Sequence, residues 1–315
     1  MKIAFLGCSD QQLPYLDAAL RLSDEVIVFD RRPRDALDAR NCDVHAISYS
    51  DFGSISEILS RAGFGANDAV FTGAAHFAWD TVARIRSHFG QAGPSEADVD
   101  LALDKTKFYA ALTAAEIKVP RYETVGPGDQ LNISNTANYF LKSDYGKSPN
   151  YLFRVDQGRL PKIPSSFDTF YRSVFLLQDE IIGTHIRLNL VGGWAQAMLK
   201  VSDDVSVPVR ARDILGDRLL EQLAMFTTSL RLSEQLTKFD IIVRGGEAFV
   251  IDIGLDPPNR LRALVEHQGH PFADLYVTGQ IHGDWSSLLD LEDEILGPFA
   301  VIMRTGTRAS VMPLV

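Results

Sequence analysis

The sequence predicts a small doubly wound α/β domain with a parallel sheet, followed by a larger α+β block rich in antiparallel strands. Three observations predict this. Apolar strand-like runs alternate with helical runs over residues 1 to about 92. A Gly/Pro/Ser stretch, "GQAGPSEAD", then interrupts the alternation. Beyond Pro120 the pattern changes to short apolar runs separated by glycines, the signature of hairpins.

The elements follow in order. "KIAFLG" reads as a buried strand, "QQLPYLDAALRL" as a helix with Leu13, Leu16 and Leu20 near helical spacing, and "EVIVFD" as the next strand, ending in Asp30. Such a βαβ unit is normally parallel and right-handed. "DVHAISY", "SISEILSRA", "NDAVFTGA" and "WDTVARIRSHF" continue the alternation. Ser95 before "EAD" offers a capping box to a helix or helix pair over "LALDKTKFYAALTAAEI", which stops at Pro120. "ANYFLKSDYGKS", "FRVDQGRLPK", "SVFLLQDEI", "GTHIRLNLVGG" and "WAQAMLKVS" read as strands and hairpins. The helix "GDRLLEQLAMFTTSLRLS" separates them from the hairpin "KFDIIVRGGEAFVIDIG", and a final helix falls in "NRLRALVEHQ" or "PFADLYVTGQIHG".

Bulk properties exclude several classes. The chain has 315 residues, 46% hydrophobic and 23% charged, enough for a sizeable core. A net charge of −10 argues against a broad basic face for nucleic acid, while a local basic pocket for phosphate or carboxylate stays open. The two cysteines, Cys8 and Cys42, build neither a disulfide framework nor a zinc site, which fits a reducing cytoplasm. The N-terminal apolar run is too short for a signal peptide, and no run reaches the roughly 18 apolar residues of a membrane span.

The first turn, "GCSDQQ", has one glycine where a dinucleotide fingerprint wants three. Asp30 stands where a ribose-binding acid would, but a scaffold strand ending in a solvated acid is the preferred reading. His76 and Trp79 follow "DAVFTGA", at the carboxyl end of a strand, where such domains present ligand contacts. A core or capping role competes with substrate contact there. His267 and His270 form H-x-x-H, but Gly269 and Pro271 break the helix that would align them on zinc.

The glycine hairpin carries two acids, Asp240 and Asp252. A two-residue turn at Gly245-Gly246 would place them on opposite faces. A three-residue turn that includes Glu247 sets them opposite each other. It leaves Phe239, Ile241, Val243, Phe249, Ile251 and Ile253 on one apolar face, and Asp240, Ile242, Val250 and Asp252 on the other. That register is expected. Facing carboxylates repel by about 0.2–1 kcal/mol even on an open sheet, and a divalent cation removes the conflict. Solvation of both acids at the sheet rim is the competing reading.

The order of these elements and several short motifs resemble the ATP-grasp superfamily of ligases, over residues 1 to about 285. The resemblance implies a pre-ATP-grasp domain at 1–94, an N-lobe at 95–175 and a C-lobe with a C-terminal extension at 176–315. It implies ATP and Mg²⁺ as cofactors, with Mn²⁺ as the alternative. "GPSEADVDLALDKTKFYAALTAAEIKVPRY" resembles the segment whose lysine, here Lys105, contacts phosphate. "YFLKSDYGKS" resembles the strand of the second phosphate lysine, here Lys142, followed by a phosphate flap at 146–150. "LLQDEIIGTHIRLN" resembles the hinge: Gln178 and Asp179 take the acid positions, Ile181 offers backbone groups to adenine, and His185 replaces the ribose-binding glutamate. Asp240 and Asp252 fall at the metal-binding acids.

Two departures stand out. The flap has one glycine, and Gly254 replaces the asparagine common two residues after the second metal acid, with Asp256 as a substitute ligand. The resemblance implies phosphorylation of a carboxylate and attack by an amine, the catalyst positioning groups and neutralising charge. Lys105 and Lys142 would act on phosphate and Arg260 on the substrate carboxylate or acyl phosphate, Arg260 and Lys142 being the catalytic candidates. Arg187 and Arg210 are further substrate candidates of that kind. The C-terminal run looks most like the amino-acid ligases, such as that of pyrrolysine biosynthesis; the glutamate-adding ligases of one-carbon coenzyme biosynthesis are the second likeness. The expected partners are a small carboxylate and an amine, with neither nucleic acid nor membrane, and homodimerisation is left open. The alternatives are a nucleotide-cofactor oxidoreductase using the first domain, and a non-catalytic ATP-binding protein.

Overall fold

The computed structural model describes residues 1–33, 37, 40–73, 77–126, 138–143, 152–155, 174–192, 194–297, 299–304 and 308–313. The apolar runs at the N-terminus become short strands alternating with helices: β1 (Lys2–Leu6), α1 (Leu13–Leu22), β2 (Glu25–Phe29), β3 (Asp43–His45), α2 (Phe52–Arg61), β4 (Ala69–Phe71) and α3 (Ala78–His88). The strands pair in parallel in the order β3-β2-β1-β4. Both faces of β1 are covered, with Ile3 through Leu6 buried, which is why its sequence is continuously apolar.

The helical stretch after residue 95 is two helices, α4 (Glu96–Leu103) and α5 (Lys105–Ala114). Ser95 and Asp98 form a capping box at the start of α4. Asp104 then ends α4 and caps α5, accepting from the Lys107 N–H at 3.0 Å. Lys105 is thereby the first residue of a helix.

A second sheet contains β5 (Tyr122–Val125), β6 (Tyr139–Ser143), β7 (Leu152–Val155) and β8 (Phe175–Asp179), all antiparallel in the order β5-β8-β6-β7. β8 belongs to this sheet, so the sheet runs through Asp179.

The third sheet contains β9 (Thr184–Val191), β10 (Trp194–Lys200) and β11 (Val205–Arg210). Helix α6 (Ala211–Ser229) follows, interrupted at Gly216 (φ 73°), where the sequence suggested that it begins. Next come β12 (Thr237–Arg244), β13 (Glu247–Gly254), α7 (Asn259–His267), α8 (Phe272–His282), α9 (Ser286–Leu289), α10 (Glu292–Ile295), β14 (Phe299–Arg304) and β15 (Arg308–Pro313). The strand order is β13-β12-β9-β10-β11-β14-β15. Strand β11 was not expected; it pairs with β10, with Pro208 opposite Met198. It pairs with β14 only through Val205 and Ser206, so the missing N–H lies beyond that pairing.

The inner face of β12 and β13, with Phe239, Ile241, Val250 and Ile253, shares one apolar core with Phe226 of α6, Phe108 and Leu112 of α5, and Trp79 of α3. A second core joins α1 to α7 and α8, with the Tyr15 and Tyr276 rings 5.2 Å apart. The C-terminal helices thus pack against the N-terminal domain.

Gly183 enters β9 against β12. A Cβ there would lie 2.4 Å from the Val243 carbonyl oxygen, a backbone atom with little freedom to yield. Gly183→Ala should therefore destabilise the protein by about 1–3 kcal/mol, measured as a shift in urea midpoint; an unchanged midpoint would show that β9 relaxes away from β12.

Candidate functional site

The site grows from the β12–β13 hairpin. Its turn has two residues, Gly245 and Gly246, with φ of 59° and 80°, and Arg244 pairs with Glu247. This corrects the three-residue turn. The extra residue is Ile251, since Ile241 pairs with Val250 while Asp240 pairs with Asp252. A β-bulge at Ile251 therefore brings the acids face to face, as expected, by a different route. The phase between turn and bulge is reversed: Val250 is in the core, and Phe249 lies opposite Ile242 on the other side.

The bulge also frees a backbone group. The Ile251 carbonyl accepts from Lys142 Nζ and from Tyr109 Oη, each at 2.9 Å. Lys142 Nζ also donates to Tyr109 Oη at 2.9 Å, and Tyr109 Oη is 2.8 Å from Gln178 Oε1. Lys142 of the small lobe is thus held against β13 of the large one. Burial pushes its pKa from the ordinary 10.5 down to about 7, with Asp252 opposing and Lys105 adding to the shift. Tyr109 was not among the residues singled out from the sequence. Its signal lay in helical spacing, because Tyr109 and Lys105 are four apart on one face of α5.

Each acid has its own cation. Arg187, opposite Asp240 on β9, donates to it through Nε (2.8 Å) and NH2 (3.1 Å). His185 Nε2 lies 3.2 Å from Asp240 Oδ1. Burial alone would raise the Asp240 pKa, but Arg187 and His185 outweigh it and hold the carboxyl far below the ordinary range. Asp252 has Lys105 Nζ at 3.8 Å and accepts from the Ile253 N–H at 3.1 Å. The repulsion expected to call for a metal is therefore already relieved by protein cations.

The remaining candidates fall as follows. Arg260 opens α7, half-buried, with NH2 donating to the Asp203 carbonyl at 3.3 Å and its buried Nε without a partner among the described residues. Its pKa is lowered, by burial first and then by Arg187. Asp179 and the buried Ile181 flank the crossover between the two sheets; the Asp179 N–H is fixed by the Arg121 carbonyl at 2.9 Å. Arg210 is exposed at the end of β11. Trp79 is wholly buried in the core, with the Arg86 guanidinium 6.0 Å from its ring centroid. His76 and the flap at 146–150 lie outside the described residues.

The first domain is built differently from a dinucleotide site. Gln12 fills the space under Gly7, where an added Cβ would meet its amide nitrogen at 2.4 Å. Its side chain bonds Ser9 N, the Leu6 carbonyl and Thr72. Asp30 accepts from the backbone N–H groups of Cys8 and Arg32, a structural role.

Lys142 gives a pH dependence with a definite sign. With a folded pKa of about 7 against 10.5 unfolded, the unfolded chain binds the extra proton between those values. Stability should therefore rise with pH across that window, and Lys142→Met should flatten the rise in denaturant titrations; an equal slope in both proteins would contradict the lowered Lys142 pKa. Tyr109→Phe should cost about 1–3 kcal/mol by stranding the Lys142 and Gln178 groups, read from the same titrations, and wild-type stability would contradict the network.

The chain matches no established sequence family, and no curated protein matches it in sequence. Solved structures do resemble it. An L-amino acid ligase from Bacillus licheniformis superposes with a TM-score of 0.68 at 13% identity, covering 95% of this chain and 78% of that one. N5-carboxyaminoimidazole ribonucleotide synthetase from Thermotoga maritima gives 0.69 at 15%, covering 96% and 80%. D-alanine–D-alanine ligase from Bacillus anthracis, solved with ATP, gives 0.59 at 12%, covering 93% and 99%. At such identities the likeness speaks for the fold: this chain has the ATP-grasp fold that these ligases share.

Proposed function

We propose that the protein is an ATP-dependent carboxylate–amine ligase that releases ADP and joins small metabolites, one of them an amino acid. The observation that carries this is the convergence of two opposed carboxylates, Asp240 and Asp252, with two buried lysines, Lys105 and Lys142, one on the small-lobe sheet and one at the start of α5. The fold likeness to ligases supports it.

In this reading the nucleotide lies between the two sheets. Gln178, Asp179 and Ile181 face the base and His185 the ribose. Lys105 and Lys142 neutralise phosphate oxygens as compact point charges. Asp240 and Asp252 offer hard oxygen donors on one face, a set that fits Mg²⁺ completed by phosphate oxygens and water. Each carboxylate keeps lone pairs beyond those taken by Arg187, His185 and Lys105. A bound Mg²⁺ would supply Lewis acidity and a template for the phosphates.

The substrate carboxylate oxygen attacks the γ-phosphorus, and the β–γ bridging bond breaks to release ADP. The amine nitrogen then attacks the acyl carbon, phosphate leaves, and the amine gives up a proton. In this reading Arg260, whose buried Nε has no partner among the described residues, and the neighbouring Arg187 hold the carboxylate and the charge that develops on the acyl phosphate. The reaction is catalysed by position and charge, with no covalent enzyme intermediate.

A screen of amino acids and amines for substrate-dependent ADP release tests the reading. One combination should release ADP, and Asp252→Asn should lower that rate at least about 100-fold while the circular dichroism spectrum is retained. Wild-type turnover in the variant would refute the assignment of Asp252. Arg260→Met should raise the KM for the acid or cut kcat by a similar factor, and unchanged kinetics would remove Arg260 from the site.

A further inference from the structure

Beside the two acids lies a third charged residue that the reaction above leaves unused. Lys238 precedes Asp240 by two residues on β12, so both point to the same face. It is 5% exposed and sits opposite Gly254, which follows Asp252 by two residues on β13. A Cβ added at Gly254 would lie 2.5 Å from Lys238 Cε and 3.2 Å from its Cγ. Any ligating side chain at 254 would therefore have to displace the lysine. Lys238 Nζ donates to Asp256 Oδ2 at 2.8 Å and to the Asp256 carbonyl at 3.3 Å. The next carboxylate along the chain is thus bound to an ammonium.

The cross-strand neighbour of Lys238 on β9 is Asn189, whose amide nitrogen donates to Gln196 Oε1 at 2.6 Å and whose buried Oδ1 has no partner among the described residues, a single neutral oxygen beside the ammonium. Among the described residues, no group of three or more His, Cys, Asp or Glu could hold a metal. Phosphoryl-transfer sites often use two divalent ions about 3.5–4 Å apart. This face offers two carboxylates for one ion and, where donors for another would stand, a buried cation.

We infer that the site takes a single divalent cation, between Asp240 and Asp252, and that the Lys238 ammonium holds the place of a second. The inference rests on the nucleotide reading above. Lys238 is retained there by Asp256, and Gly254 is the residue that leaves it room. An ammonium supplies fixed positive charge and three donors, but no open coordination site. Asp256 is then a positioning residue for Lys238 and not a metal ligand.

Counting ions tests this without reference to turnover. The full-length protein is saturated with Mn²⁺ and a non-hydrolysable ATP analogue and freed of excess by rapid gel filtration. Manganese and nucleotide are then assayed per chain, and the electron paramagnetic resonance spectrum is recorded. The expected result is one Mn²⁺ per nucleotide with the spectrum of an isolated ion. The Lys238→Ala/Gly254→Asn double variant should hold two, with a spin-coupled spectrum. Two ions per nucleotide in the wild type would overturn the inference. So would a double variant that retains the analogue yet holds one ion. Failure of the wild type to retain the analogue would refute the nucleotide site itself, and this inference with it; that outcome is read from the nucleotide assay alone. Should the double variant not fold, the wild-type count still decides.

Discussion

The site depends on one backbone irregularity. A two-residue hairpin with unbroken register would set Asp240 and Asp252 on opposite sides of the sheet. The extra residue at Ile251 brings them together and turns one carbonyl out of the ladder. That carbonyl gives the buried end of Lys142 a fixed acceptor, and Tyr109 gives it another. A single inserted residue thus sets both the acid pair and the resting position of a small-lobe lysine. The bulge lies between core residues, Val250 and Ile253, which hold β13 on both sides of it.

Charge on this face is arranged in pairs rather than in a pool. Arg187 and His185 hold Asp240, Lys105 lies near Asp252, and Lys238 holds Asp256. Burial makes each pairing matter, because an uncompensated ion in a low-dielectric site costs several kcal/mol. In the proposed reading, several of the residues that relieve one another, Lys105, Asp240 and Asp252 among them, are also the ones a triphosphate and its cation would engage. On that proposal, ligand binding would exchange one set of partners for another instead of creating a charged site anew.

Much of this was legible in the sequence, for local reasons. Strand and helix alternation followed from apolar periodicity, and the start of α4 from the Ser95 capping box. The acid pair was expected from the glycine turn, although through the wrong register. Nothing in the letters around Ile251 marks a bulge: no glycine or proline stands there, and what selects it is the need to bury Val250 and Ile253 together. The Arg187–Asp240 contact needs β9 beside β12, a pairing across 53 positions that no local pattern encodes. Tyr109 was hidden for the opposite reason, since an aromatic on an amphipathic helix reads as core until its hydroxyl is placed. β11 was passed over although Val205, Val207 and Val209 alternate in it; its Pro208 lies opposite Met198, and the missing N–H falls beyond the two-residue pairing with β14.

The Tyr109 hydroxyl has one hydrogen and, within 3 Å, two oxygens that can accept it: the Gln178 amide and the Ile251 carbonyl. Only one can have it at a time, while the oxygen's lone pairs remain on Lys142. Rotating that hydroxyl shifts a hydrogen between the crossover strand and the bulge without moving a heavy atom. Strand β8 of the small sheet and the β13 bulge are joined by a rotor the size of one O–H bond.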